Sequence, residues 1–226
     1  MIKEHPDVVQ GTEEWDDLRR GIVTASTIGQ LITPKTIMPA KNPASRSIVT
    51  TLAAERITGW TEEHYESDAM LRGHLDEPIA RDTYQKHTGH TVREAGFVTR
   101  TIDGHTLGYS PDGMVGEDGL IEIKSRSPKK HLATILSGEI PSENMAQVQT
   151  GLFVTNREWC DYISFCGGMR MWTTRVLPDA RWQSAIIEAL ATTEHAIDDM
   201  IRRYHTATSG MPETERTLHA EVELKL

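Results

Sequence analysis

Apolar and polar positions recur along this chain with two different periods, and the changes of period outline its elements. Residues 12–21 have helical spacing: Trp15 and Leu18 lie three apart, acids fill the first turn, arginines the last, and Gly21 follows. Trp15 and Leu18 are expected to face a core. Residues 22–26 lead into a second short helix capped by Thr24 or Ser26. Residues 33–47, with Pro34, Lys35, Pro39, Lys41, Pro43 and Arg46, read as a mobile basic loop, and a helix follows over 47–58. Over 66–88, Met70, Leu71, Leu75, Ile79 and Tyr84 form a stripe of helical period that ends at Gly89, with Pro78 as an expected kink or restart. The stripe predicts a core-facing side, with Glu77 near its edge.

Beyond Gly89 the period shortens to two. Segments 91–99, 105–109, 114–115 and 120–124 read as strands. A basic stretch, 126–131, follows them. A helix over 142–155, a hairpin of 160–166 with 169–176, and a long helix over 178–205 complete the pattern. The last helix carries Trp182, Ile186, Leu190, Ile197 and Ile201 as its stripe. Residues 206–226 form a polar, loosely ordered tail with some alternation at 218–226. Nothing marks a boundary within 1–205, so the expectation is a single α/β domain with a central mixed sheet flanked by helices.

Composition narrows the functional classes. At 226 residues, 38% hydrophobic and 25% charged, the chain is of ordinary globular make-up, with no apolar run long enough to span a membrane. Its first residues lack the apolar segment of a secretory signal, and a cytosolic setting is expected. Cys160 and Cys166, the two cysteines, share one strand-like segment. They make a poor zinc framework and are too few for a cysteine-ligated iron–sulfur cluster, so buried reduced thiols are expected. The net charge of −9 argues against a protein that coats nucleic acid by bulk charge. DNA binding requires the positive charge to be confined to a channel.

Chemistry concentrates at residues 108–124. Ser110-Pro111-Asp112-Gly113 has turn composition, and Gly119-Leu120-Ile121-Glu122-Ile123-Lys124 alternates like a half-buried strand. Glu122 and Lys124 then share one face, Ile121 and Ile123 the other. If the two segments pair as a hairpin, Asp112 approaches the Glu122–Lys124 face. Two carboxylates and an ammonium suit metal-assisted phosphodiester hydrolysis: the acids hold a hard cation, which activates a water and neutralises phosphate charge. The same residues alone also fit a plain turn followed by a solvated strand face.

Taken in order, Leu18-Arg19-Arg20-Gly21-Ile22-Val23-Thr24-Ala25-Ser26, Arg72-Gly73-His74-Leu75-Asp76-Glu77, Ser110-Pro111-Asp112-Gly113, Leu120-Ile121-Glu122-Ile123-Lys124 and Met145-Ala146-Gln147-Val148-Gln149 resemble the PD-(D/E)xK nucleases. The resemblance is to the branch containing phage lambda exonuclease and the YqaJ-type viral recombination nucleases, and it covers about residues 9–176. It implies the restriction-endonuclease-like fold and a magnesium-dependent, 5′→3′ exonuclease that digests one strand of linear duplex DNA to mononucleotides. Two ions are implied, held by Asp112, Glu122, the Ile123 carbonyl and Glu77, and manganese suits the same oxygen ligands. Lys124 is implied as general base or water-positioning cation, and Gln147 as a hold on the water or scissile phosphate.

By the same resemblance Arg19, Ser26 and Ser110 fall where a terminal 5′ phosphate binds, chemistry that a guanidinium and two hydroxyls suit. Each also has a structural reading: a helix-end arginine, an N-cap and a turn residue. Further out, Lys35 and Lys41 are candidate contacts to the duplex backbone, and Arg126, Lys129 and Lys130 are candidates to track a strand, although a solvated basic turn fits those three equally well. Met70 stands where the family has an apolar wedge, although a core methionine fits its stripe. The implied assembly is a homotrimeric ring with a basic channel and an acidic exterior, which accommodates the charge of −9. A single-strand annealing protein is the implied partner in the cytoplasm of a bacterial host. Pro78 after Glu77, and Gly151 where related nucleases carry an aromatic, depart from the pattern. An endonuclease of the same superfamily and a non-catalytic DNA-end-binding module are the alternatives.

Overall fold

A computed structural model describes residues 1–62 and 67–216. Glu66 and the alternation at 218–226 lie outside the described residues. In chain order the elements are β1 (Ile2–His5), α1 (Glu13–Arg19), β2 (Val23–Thr24), α2 (Ala25–Leu31), β3 (Ile32–Thr33), β4 (Met38–Pro39), α3 (Pro43–Thr58), α4 (Asp68–Thr88) and β5 (Val92–Arg93). There follow β6 (Phe97–Ile102), β7 (His105–Tyr109), β8 (Gly113–Val115), β9 (Gly119–Ser125), α5 (Pro128–Ser137), α6 (Ser142–Thr155), β10 (Trp159–Phe165), β11 (Trp172–Val176) and α7 (Ala180–Ala207).

The Ser110-Pro111-Asp112 step divides the strands into two mixed sheets, ordered β1-β6-β7-β2 and β11-β10-β9-β8-β5. Pro111 has no N–H to give a ladder, so β7 stops at Tyr109 and β8 starts afresh at Gly113. The parallel pairs are β2 with β7 at one edge of the first sheet and β9 with β10 inside the second, and the other ladders are antiparallel. β9 is buried on both faces. Leu120 joins the main core with Tyr109, Leu152, Tyr162 and Ile186, while Ile121 and Ile123 pack with Ala80 and Tyr84 of α4. Glu122 and Lys124 therefore point away from α4, as the alternation predicts.

Several expectations change. The basic loop over 33–47 is shorter than predicted: β3 and β4 pair as a small hairpin, and α3 starts at Pro43. Asn42 makes that start possible by accepting the Ser45 N–H at 2.9 Å, while Ser45 Oγ accepts the Asn42 N–H at 3.1 Å. The basic stretch 126–131 opens a helix, α5, that the sequence reading missed, and its His131 is fully buried. Helix α4 continues through Pro78 without a restart.

The α4 stripe is the largest correction. Met70, Leu71, Leu75 and Ile79 are 50–65% exposed, and of the stripe only Tyr84 is buried. The cause is a change in what α4 touches along its length. Ala80 and Tyr84 sit on β9 and β10, but nearer its start the helix turns the polar Arg72 and Asp76 towards the end of β9. Tyr84 is fixed there by donating to Asp161 at 2.7 Å, a carboxylate that Arg175 also grips at 2.8 and 2.9 Å. Trp15 and Leu18 are only half-buried. Cys160 and Cys166 are free and buried, as expected, and no described helix is long and apolar enough to cross a membrane.

Candidate active site

The acidic cluster forms where the two sheets separate. Asp112 lies in the step itself, Glu122 and Lys124 on β9, Gln147 on α6 and Glu77 on α4. Gly113 pairs with Ile121 across the β8–β9 ladder, which brings Asp112 beside the middle of β9. Its Oδ2 accepts the Ile123 N–H at 2.6 Å. The Lys124 ammonium donates to Gln147 Oε1 at 2.9 Å and lies 2.7 Å from Glu122 Oε1. Tyr109 donates its hydroxyl to the other Glu122 oxygen at 2.9 Å.

Glu122 is completely buried, which is costly for a carboxylate unless partnered. Lys124 supplies charge to Oε1 from 2.7 Å, and Tyr109 donates to the other oxygen. A fully buried carboxylate with a second carboxylate at hand fits a hard cation. The electrostatics agree. Burial pushes the Asp112 pKa well above the carboxylate range, and Glu122 and Glu77 add to the rise. Glu77 is raised by burial, with Arg81 opposing the shift. Burial alone would lower Lys124, but Glu122 and Asp112 outweigh it and the net direction is upward. Among the described residues no three His, Cys, Asp or Glu side chains stand ready-made in metal geometry. Glu77 is held by Arg81 at 2.6 Å, and Lys124 takes up one side of Glu122.

Three participants were missed in the sequence. Arg81 binds Glu77, Glu94 and the Asp112 carbonyl, and so ties α4 to the step between the sheets. Its signal was the i,i+4 spacing from Glu77. Tyr109 explains Gly151. A Cβ there would stand 2.7 Å from Tyr109 Cζ, so the aromatic ring comes from β7 and the helix must yield the space. Gly151→Ala should displace Tyr109 from Glu122 and lower turnover about tenfold while helix content is kept. Turnover beside far-ultraviolet circular dichroism checks this; a wild-type rate would refute it.

The third is Trp15. Its Nε1–H donates to Ser110 Oγ at 2.8 Å, and Arg19 lies over its ring at 3.7 Å. Burial lowers the Arg19 pKa, with Asp16 and Glu55 opposing, yet an arginine remains cationic. Ser26 follows the Thr24 end of β2, which pairs with Gly108 two residues before Ser110, and Ser26 Oγ lies 2.9 Å from Thr24 Oγ1. The backbone after Arg19 is pinned as well. Gly21, at φ +69°, donates its N–H to Glu55 at 2.7 Å, and its carbonyl accepts from Arg56 at 2.6 Å.

The remaining predicted residues lie elsewhere. Lys35, Lys41, Lys129 and Lys130 are exposed on the β3–β4 hairpin, the approach to α3 and the first turn of α5. Met70 is 51% exposed on α4, which removes the core reading. Arg126 folds inward, bonding Asn144 and, at 2.7 Å, the Tyr162 hydroxyl; its side chain is 11% exposed.

Fold and acidic cluster together define a lambda-exonuclease-like protein of restriction-endonuclease-like α/β architecture. The model of the YqaJ-like viral recombinase domain matches residues 14–158, and the chain belongs to that family. An alkaline exonuclease, LHK-Exo from Laribacter hongkongensis, is 34% identical, covering 87% of this chain and 100% of its own, at a TM-score of 0.73. The same enzyme in complex with dAMP aligns at 32% identity over 89% of this chain and 100% of its own, with a TM-score of 0.78. A phage-related exonuclease from Haemophilus somnus 129PT shares the fold at 12% identity and a TM-score of 0.62, over 84% of this chain and 99% of its own. Comparison with curated proteins gave no match.

Proposed function

We propose that this chain is a magnesium-dependent exonuclease that digests one strand of linear duplex DNA in the 5′→3′ direction, releasing mononucleotides. The observation that carries the reading is the convergence of Asp112, Glu122, Lys124 and Gln147 from three separate segments around a fully buried carboxylate. Asp112, Glu122, Glu77 and the Ile123 carbonyl would hold the ions, which when bound supply an activated water and neutralise phosphate charge. Manganese suits the same donors. Lys124, steadied by Glu122 and Gln147, serves as the cation that orients that water. Gln147 holds the scissile phosphate in line. Arg19, Ser26 and Ser110 receive the terminal 5′ phosphate, and the alkaline exonucleases that resemble this chain support end-directed chemistry.

The remaining 3′ strand serves an annealing protein in phage-type recombination within the bacterial cytoplasm, a role in keeping with the recombinase family. Lys35 and Lys129 serve the DNA path, whereas Arg126 is taken up by Asn144 and Tyr162 inside the fold, and exposed Met70 serves as the wedge at the duplex end. A homotrimeric ring reconciles a charge of −9 with a DNA substrate, because enclosure replaces adhesion. The exposed Leu71, Leu75 and Ile79 of α4 give such a ring apolar surface to bury.

The test compares linear duplexes bearing 5′-phosphate or 5′-hydroxyl ends with closed circular DNA, each in magnesium or EDTA. Magnesium-dependent release of mononucleotides from phosphorylated linear ends, with the circle intact, is the expected result. Cleavage of the circle would point to an endonuclease. End binding without turnover would leave a binding module.

A further inference from the structure

Two of the residues assigned to the terminal phosphate touch a third that has no role in the scheme above. Trp15 sits between Arg19 and Ser110, which come from α1 and from the step after β7. The i,i+4 spacing of Trp15 and Arg19 lays the guanidinium on the indole at 3.7 Å. Stacking fixes the plane of the guanidinium and leaves its N–H edges free. No hydrogen-bond acceptor for Arg19 is found among the described residues. A half-buried, flat cation with unoccupied donors is poised for an anion.

The indole acts on Ser110 differently. A serine hydroxyl has one hydrogen and two lone pairs. Trp15 Nε1–H can only donate, so at 2.8 Å it occupies a lone pair of Ser110 Oγ. The serine's own hydrogen is thereby directed elsewhere, and the hydroxyl becomes a donor. Arg19 and Ser110 then present donors of one kind around one ring, which matches a phosphate monoester carrying charge between about −1.5 and −2 and acceptor oxygens. A 5′-hydroxyl offers neither that charge nor that set of acceptors.

We propose that Trp15 is a positioning residue that presets this pocket for a 5′-phosphate monoester, by fixing the Arg19 plane and the donor direction of Ser110 together. The proposal rests on the assignment of Arg19 and Ser110 to the terminal phosphate. It predicts two separable losses. Trp15→Phe keeps an aromatic shelf but loses the N–H, and Trp15→Leu loses both.

The experiment measures kcat and KM of the full chain with magnesium on linear duplexes with 5′-phosphate or 5′-hydroxyl ends. The wild type should prefer phosphorylated ends. Trp15→Phe should lower the ratio of kcat/KM values for the two ends about fivefold, the worth of one hydrogen bond. Trp15→Leu should bring the ratio close to one, with the loss falling chiefly on phosphorylated ends. In a Ser110→Ala background, Trp15→Phe should cost no further preference, because its only lost partner is already gone. Equal losses on both ends, an unchanged ratio in both single variants, or full additivity with Ser110→Ala would overturn the proposal. A wild type indifferent to the terminal phosphate would instead remove the pocket assignment beneath it.

Discussion

Replacing Asp112 by asparagine should abolish turnover, by at least about 10³-fold, while making the metal-free protein more stable. The catalytic loss follows from removing a carboxylate that, in the proposed reaction, holds the cation, a contribution of several kcal/mol to the transition state. The gain in stability follows from charge. Asp112 is half-buried near Glu122 and Glu77, and desolvation together with those carboxylates raises its pKa well above the ordinary value. A carboxyl whose folded pKa exceeds its unfolded one binds more protons folded than unfolded, so stability falls as pH rises above the unfolded value near 4. Asparagine cannot ionise, and its Oδ1 can still accept the Ile123 N–H. Melting temperature in EDTA should therefore rise at neutral pH, and its decline between acid and neutral pH should flatten. A lower melting temperature at neutral pH would show that the carboxylates are not repelling one another.

The second large effect lies far from the acids. Arg56 donates to Glu194 at 2.8 and 2.7 Å and to the Gly21 carbonyl at 2.6 Å. Glu194 is 5% exposed, so Arg56→Ala strands a buried carboxylate and a backbone carbonyl in one step. The expected cost is about 3 kcal/mol, or about 10 °C in melting temperature for a chain of this size. His105, 3.8 Å from Glu194, is the nearest remaining partner. Arg56→Met with Glu194→Met should regain most of the loss, because the stranded charge is gone. Thermal melts of the single and double variants test this. A double variant as unstable as the single one would locate the cost in the Gly21 carbonyl instead. Gly21 follows Arg19 and Arg20 directly, so the same brace secures the arginine of the phosphate pocket.

What could be read in advance divides along physical lines. Strand β7 and helix α6 fall on their predicted limits because turn residues and caps punctuate them. The faces of β9 were legible because a period of two leaves no ambiguity about neighbours. The stripe on α4 misled, since periodicity says that a face is apolar but not what covers it. Helix α5 was missed for the opposite reason: it buries His131 and Thr134 while Leu132 and Leu136 stand exposed. Glu77, Asp112, Glu122, Lys124 and Gln147 are singled out in the sequence by type and order, through the family resemblance, and the fold brings Asp112, Glu122, Lys124 and Gln147 together. Arg81, Tyr109 and Trp15 act through contacts across 31, 13 and 95 residues of sequence, and beyond the i,i+4 spacing of Arg81 from Glu77 no local pattern announces such reach. Trp15 did carry one signal, an arginine four positions on, which was read only as a helix end.

The proline between Ser110 and Asp112 has a consequence for product size. In the proposed reaction one of these residues marks where the strand begins and the other where it is cut. They are two positions apart on backbone that Pro111 stiffens at the seam between two sheets. In that reaction the chain carries its own ruler, and the length removed at each turn is set by a covalent span rather than by how far the DNA happens to slide.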